Sequence, residues 1–241
     1  MKEVRYFYVP NAGEVGELPQ EEATHALRVL RLKDGDEMYL MDGVGAFYRA
    51  TVTMVNNKHC FYAIEETLHP EKTWRNHIHL AVAPTKMIER MEWLSEKATE
   101  VGFDELSFLD CRFSERHVVR EDRMEKIVVS AMKQSRKPWK PIVNAICPFD
   151  AFVNKQNEGH RFIAHCYDEI EKKDLFDELR QIDDNKGVTI MIGPEGDFSV
   201  EEVRQAMEAG FVSVSLGASR LRTETAALSA VMMANLVFRI V

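Results

Sequence analysis

From about residue 75 onward the chain alternates short, uninterrupted apolar runs with longer segments whose apolar residues recur every three or four positions. This alternation predicts an α/β fold with a parallel sheet and helices on its faces. The predicted strands cover 78–83, 106–109, 161–167, 188–192 and 211–216. Between them, a helix over 86–101 places Met87, Met91, Leu94, Ala98 and Val101 on one face, and Gly102 is positioned to end it. A second amphipathic helix spans 123–134, and Leu175, Phe176, Leu179 and Ile182 mark a third. Ser199 and Glu202 form a capping-box signature for a fourth. The last helix, 223–240, carries Ala227, Leu228, Val231, Met232, Leu236 and Phe238, a set that suits either a core or a subunit interface.

The first 70 residues read differently. Strand-like segments at 4–9, 37–41, 47–54 and 60–64 are punctuated by Asp-Gly pairs at Asp34 and Asp42, with one helix over 21–30. This pattern predicts a small β-barrel or sheet module over 1–70, joined near Pro70 to an α/β domain over 71–241. Tyr6, Phe7, Tyr8, Phe47 and Tyr48 are expected to pack its core.

Charge and cysteine usage narrow the classes of function. The net charge of -8 argues against a protein that coats nucleic acid non-specifically, because phosphate binding rests on Lys and Arg. Local basic patches nevertheless stand out: Lys133, Arg136, Lys137 and Lys140 lie within 132–141 without an acid, and Arg28, Arg31 and Lys33 form another. The four cysteines are widely separated, which suggests free thiols rather than a zinc or disulfide framework. His77 and His79 share one face of a strand, but a zinc site takes at least three protein ligands, so no metal is expected. With no apolar signal core and no run near the roughly 20 residues of a membrane helix, a cytoplasmic, non-membrane protein is expected.

The candidate chemistry lies in two loops, 192–197 and 216–226. Two successive predicted strands end in glycine-bearing turns, Gly193-Pro194-Glu195-Gly196 and Leu216-Gly217, where open α/β sheets bind ligands. The second loop continues as Ser219-Arg220-Leu221-Arg222-Thr223-Glu224 into the last helix. Thr223 and Glu224 suit a helix start, whereas Arg220 and Arg222 are mildly unfavourable there and point to recognition of an anion or a base.

GPEGDFS followed by LGASRLRTETAALSA resembles the knotted, or SPOUT, class of S-adenosylmethionine-dependent methyltransferases. Within that class the chain is most similar to the enzymes that methylate N3 of a uridine in 16S ribosomal RNA. HALRVLRLKDGD (25–36) is similar to that family's RNA-binding barrel of PUA type, and KATEVG (97–102) matches as well. The chain departs from the common pattern at Ser219, where many members have arginine, and at Arg220, where they have an apolar residue.

The resemblance implies a C-terminal trefoil knot, an N-terminal PUA-like β-barrel and a homodimer that completes the site. It implies S-adenosyl-L-methionine as cofactor, held by the backbone of Ile192, Gly193, Pro194, Glu195, Gly196, Ser215, Leu216, Gly217, Leu221 and Thr223. Arg222 or Arg220 would stabilise charge on the uracil, and Glu224 or Glu195 would take its proton. Arg28, Arg31, Lys33, Arg136 and Lys137 would capture 16S rRNA within the small ribosomal subunit. Two other readings compete: a related knotted enzyme acting on a ribose 2'-hydroxyl or another base, and a non-catalytic RNA-binding assembly factor.

Overall fold

The computed structural model describes residues 5–155 and 159–240, which form two compact units. The first comprises residues up to Lys72 together with Val129–Lys140, and the second comprises Thr73–Val128 and Pro141 onward.

In the first unit, β1 (Tyr6–Tyr8) pairs in parallel with β2 (Glu37–Met41), and β3 (Phe47–Val55) and β4 (Cys60–Leu68) continue the sheet antiparallel. Val4, expected to open the first strand, lies outside the described residues. The expected helix over 21–30 is α1 (Gln20–Thr24), which passes at His25 into a π-helical turn, His25–Val29. Phe7, Leu40, Ala50 and Val52 build the core with Leu18, Ala26 and Leu32 from the flanking segments. The turn after β2 is fixed by Asp42, whose Oδ1 accepts from the backbone N–H groups of Val44, Gly45 and Ala46.

The aromatic expectation needs correcting here. Phe7 is buried and Tyr48 packs against the core, but Tyr6 and Phe47 are half-buried and belong instead to a separate cluster with Tyr39. The Arg136 guanidinium lies 5.2 Å from the centre of the Tyr6 ring. A β-strand alternates faces, so Phe7 and Tyr6 cannot both point into one core.

The second unit runs β5 (Ile78–Val82), α2 (Ile88–Val101), β6 (Glu105–Asp110), α3 (Glu121–Ser135), β7 (Ile142–Pro148), α4 (Phe149–Val153) and β8 (His160–Ala164). It continues with β9 (Lys173–Asp174), α5 (Leu175–Arg180), β10 (Val188–Ile192), α6 (Val200–Glu208), β11 (Val212–Ser215) and α7 (Thr223–Phe238). The last seven residues of α3 group with the first unit.

All seven strands pair in parallel, in the order β7-β6-β5-β10-β8-β11-β9. Every residue of β5 and β10 is buried, as strands covered on both faces must be. One face packs on α2, α5 and α7 through Leu80, Ile190, Leu94, Leu179 and Val231. The other packs on α4 and α6 through Ala81, Met191, Phe152 and Val203. Helix α2 ends at Gly102 with φ 115°, and a side chain there would meet the Trp74 ring at 2.8 Å. The capping box of α6 is complete, since Ser199 Oγ accepts from Glu202 N and Glu202 Oε2 from Ser199 N.

Strand β7, helix α4 and the two-residue β9 carry no readable signal in the sequence. β7 is a sheet edge whose burial follows no clean alternation, and Pro148 stands at its end. The long last helix answers its own ambiguity residue by residue: Ala227, Val231 and Phe238 are in the core, whereas Met232 and Leu236 are 45% and 56% exposed.

His77 and His79 lie on a polar patch of the sheet rather than in a ligand cluster. His77 Nε2 is 3.0 Å from Glu105 Oε2, and His79 Nε2 is 2.8 Å from Ser107 Oγ. Burial lowers the His79 pKa to about 4, and chiefly the hydrogen bond from His77 lowers that of Glu105 to about 2. A histidine held neutral in the fold but protonated at pH 6.5 when unfolded makes the unfolded chain bind more protons between those values. Stability should therefore fall by about 3 kcal/mol as pH drops from about 6.5 to about 4. In urea titrations across that range, His79→Gln should flatten the dependence; an unchanged slope would contradict this origin.

Candidate active site

The carboxyl ends of β8, β10 and β11 open into a cavity of about 870 Å³, within the range of small-molecule sites. These three strands are adjacent in the sheet but distant in sequence, so the loop after each reaches the same space. Ile192, Val214, Leu216, Leu221, Ala164 and Ala226 give the wall apolar patches, while Asp168, Lys172, Asp197, Arg220 and Arg222 bring charge.

The loop after β10 is held by its own carboxylates. Asp197 adopts a left-handed conformation with φ 69°, which Asp tolerates better than most residues. Its Oδ2 accepts from Cys166 N at 2.8 Å and its Oδ1 from Phe198 N at 2.8 Å, tying this loop to the end of β8. Glu195 Oε1 accepts from Lys86 N at 2.9 Å, and the Lys86 carbonyl accepts from Arg116 Nη2 at 2.7 Å. Lys86, shortly after β5, is thus held through both its N–H and its carbonyl. Glu202 Oε1 accepts from Arg112 N, holding the loop after β6 as well.

Gly193 has a packing reason that differs from the one its motif suggests. A Cβ there would lie 2.9 Å from Phe198 N, so the glycine lets the loop fold back on itself. In the loop after β11, Ser215 Oγ accepts from Gly217 N at 3.2 Å and donates to Gly217 O at 3.1 Å.

The expected cofactor-contacting residues Ile192, Gly193, Pro194, Glu195, Ser215, Leu216, Gly217, Leu221 and Thr223 all line this one cavity. Gly196 does not; a side chain there would meet Phe113. Arg220 and Arg222 line it and are exposed, and neither forms an ion pair among the described residues. Glu224 is absent from the lining and pairs with Arg90 at 2.9 Å.

The basic residues Arg28, Arg31, Lys33, Arg136 and Lys137 all belong to the first unit, although more than 100 positions separate the two patches. Lys133 is already committed there, its Nζ 2.6 Å from Glu22 Oε1.

Several lining residues escaped the sequence reading: Arg90, His165, Cys166, Asp168 and Lys172; Asp197 falls within the candidate loop but without an assigned role. Asp197 had a usable signal as the residue closing GPEGD, whereas Arg90 meets this space only through helix packing. Burial and the nearby Asp197 carboxylate raise the Cys166 pKa, and burial lowers that of His165.

Residues 72–235 match an RNA methyltransferase domain, and residues 18–65 match an RNA methyltransferase PUA domain. The chain belongs to the RNA methyltransferase family. A structure of a probable rRNA-methyltransferase from Porphyromonas gingivalis is 39% identical, with a TM-score of 0.89 over 98% of each chain. The ribosomal RNA small subunit methyltransferase E of Neisseria gonorrhoeae, solved bound to S-adenosyl methionine, is 29% identical with a TM-score of 0.80 over 95% of each chain. The enzyme of that name from Bacillus subtilis is 25% identical over 94% of this chain and 93% of its own length. The N-terminal unit of this RNA methyltransferase is accordingly PUA-like, and its second unit is the α/β methyltransferase domain.

Asp197→Ala removes two acceptors and leaves a non-glycine residue at positive φ without its carboxylate. Urea denaturation should show a loss of about 0.5–1.5 kcal/mol, the range for an ordinary hydrogen bond, since the Cys166 bond is exposed and the Phe198 bond part-buried. Asp197→Asn keeps an acceptor and tolerates the conformation, so it should lose less; equal losses would refute the tethering role.

Proposed function

We propose that this protein is a small-subunit ribosomal RNA methyltransferase that transfers a methyl group from S-adenosyl-L-methionine to N3 of a specific uridine in 16S rRNA. The observation that carries this reading is the convergence of three strand-end loops on one cavity edged by the exposed Arg220 and Arg222, which form no ion pair among the described residues. The relatives named for small-subunit methylation, one with S-adenosyl methionine bound, supply the substrate class and the cofactor.

The cavity's volume, its apolar walls and its charged groups suit a nucleoside joined to an amino acid. Ile192, Leu216 and Leu221 would flank the purine, and the backbone of 192–195 and 215–217 would hold the polar parts. When bound, the cofactor supplies an electrophilic methyl group; the new bond forms to N3 as the sulfur–methyl bond breaks. The N3 proton must leave, and of the two glutamates considered, Glu195 is the one that lines the cavity. Lys86 N–H holds its Oε1, leaving Oε2 to accept the proton. Arg222 stabilises charge on the uracil oxygens. Arg28, Arg31, Lys33, Arg136 and Lys137 contact phosphates and position the RNA within the small ribosomal subunit.

The same reading includes a closed PUA-like barrel, a trefoil knot around the final helix, a homodimer that completes the site and a cytoplasmic location. Support for the dimer comes from Met232 and Leu236, one helical turn apart and exposed on α7. No helix among the described residues is long and apolar enough to cross a membrane.

Nucleoside mass spectrometry of small subunits incubated with the enzyme and labelled cofactor should yield 3-methyluridine. A ribose-methylated or other base-methylated product would overturn the assignment, and failure to bind S-adenosylmethionine in calorimetry would favour a non-catalytic RNA-binding factor. Arg222→Ala should lower turnover by about 100-fold or more while leaving cofactor affinity nearly intact. Equal losses would place Arg222 against the cofactor instead. Met232→Asp with Leu236→Asp should convert the dimer to monomer in light scattering, and an unchanged mass would remove this face from the interface.

A further inference from the structure

Arg90 stands in the first turn of α2 and Glu224 in the first turn of α7. Arg90 Nη1 donates to Glu224 Oε1 at 2.9 Å, with the two side chains 29% and 12% exposed. Only the arginine lines the cavity. Glu224 Oε2 is buried and accepts no hydrogen bond among the described residues.

Stability alone is a poor reason for this pair. A carboxylate in the first turn of a helix is already favoured by the helix dipole, and withdrawing two charges from water tends to offset their attraction. A guanidinium has five N–H donors in a fixed planar fork. One is committed to Glu224, and no other Arg90 side-chain hydrogen bond is present among the described residues. The carboxylate behind it restricts the side chain and leaves the remaining donors for the cavity. The geometry is that of a held cation facing a site where planar negative charge develops.

Building on the methyl-transfer reading above, we propose that Arg90 is a further catalytic residue that donates to a uracil carbonyl oxygen as N3 loses its proton, and that Glu224 is its positioning residue rather than the general base. Loss of the N3 proton spreads charge over the two flanking carbonyl oxygens, and a preorganised guanidinium stabilises that charge without reorganising.

The test compares Arg90→Ala, Arg90→Lys, Glu224→Gln and the Arg90→Ala/Glu224→Gln double variant in the full-length protein. Single-turnover rates on small subunits are normalised to sites that bind S-adenosylmethionine in calorimetry. Arg90→Ala should slow methyl transfer by about 100-fold or more, with cofactor Kd changed by less than about threefold. Arg90→Lys keeps the charge and the pair, guarding against misfolding, and should fall between Arg90→Ala and the parent because it lacks the fork. Glu224→Gln retains an acceptor for Arg90 and should slow transfer by only about tenfold, and the double variant should be no slower than Arg90→Ala.

A Glu224→Gln variant as slow as or slower than Arg90→Ala would restore Glu224 as the base and overturn the proposal. Arg90→Ala weakening cofactor binding in step with rate would assign Arg90 to the cofactor. Parent-like rates in both single variants, with a lowered melting temperature, would make the pair structural. The ranking is read on whichever methylated nucleoside the parent enzyme forms, so failure of the uridine-N3 assignment remains separable from failure of this one.

Discussion

A strand buried on both faces leaves little place for polar side chains along its length; β10 is such a strand, and Thr189 is the one polar residue it carries. Backbone pairing with β5 on one side and β8 on the other satisfies its peptide groups, while helices cover both faces. The charged groups of the site are therefore placed beyond its carboxyl end. The His79–Ser107 contact lies within the neighbouring strands β5 and β6, and the carboxyl ends of β8, β10 and β11 hold the cavity. Because neighbouring strands run parallel, their carboxyl ends share one edge of the sheet, and loops far apart in sequence meet there.

That edge would be a set of loose loops without local anchors, and the anchors are mostly carboxylates accepting from backbone N–H groups. Asp197 fastens the β10 loop to β8, Glu195 fastens it to Lys86 after β5, and Glu202 fastens the loop after β6 while also capping α6. A carboxylate used this way holds a neighbouring chain segment at fixed distance and contributes negative potential to the rim. The exposed Arg220 and Arg222 offset that potential on the opposite loop.

The parts of this structure legible in the sequence are those fixed by local patterns. β2 and β10 appear at their expected limits because apolar composition and turn residues bound them. The α6 capping box forms because Ser199 and Glu202 sit at the spacing that satisfies both donors. Gly102 ends α2 where a side chain would also strike Trp74, a contact invisible to helix-capping rules. The edge strand β7 escaped because its sides face different surroundings, and α4 because five residues are too few for a period.

The same distinction explains what was and was not readable in the site. SRLRTETA lies contiguous in the chain, so its arginines stood out against the helix they precede. Arg90 lies in an ordinary amphipathic helix, 134 positions from Glu224, and nothing local separates it from a solvated charge. Its significance comes from the packing of α2 against α7, which brings the first turns of both helices to one wall. Two glutamates that the sequence left equal have different surroundings in the structure. Glu195 presents to the cavity with one oxygen anchored, whereas Glu224 turns away to an arginine. An acid whose charge is engaged by a cation suits orientation better than proton transfer, because taking up a proton would cancel the attraction that holds the cation in place.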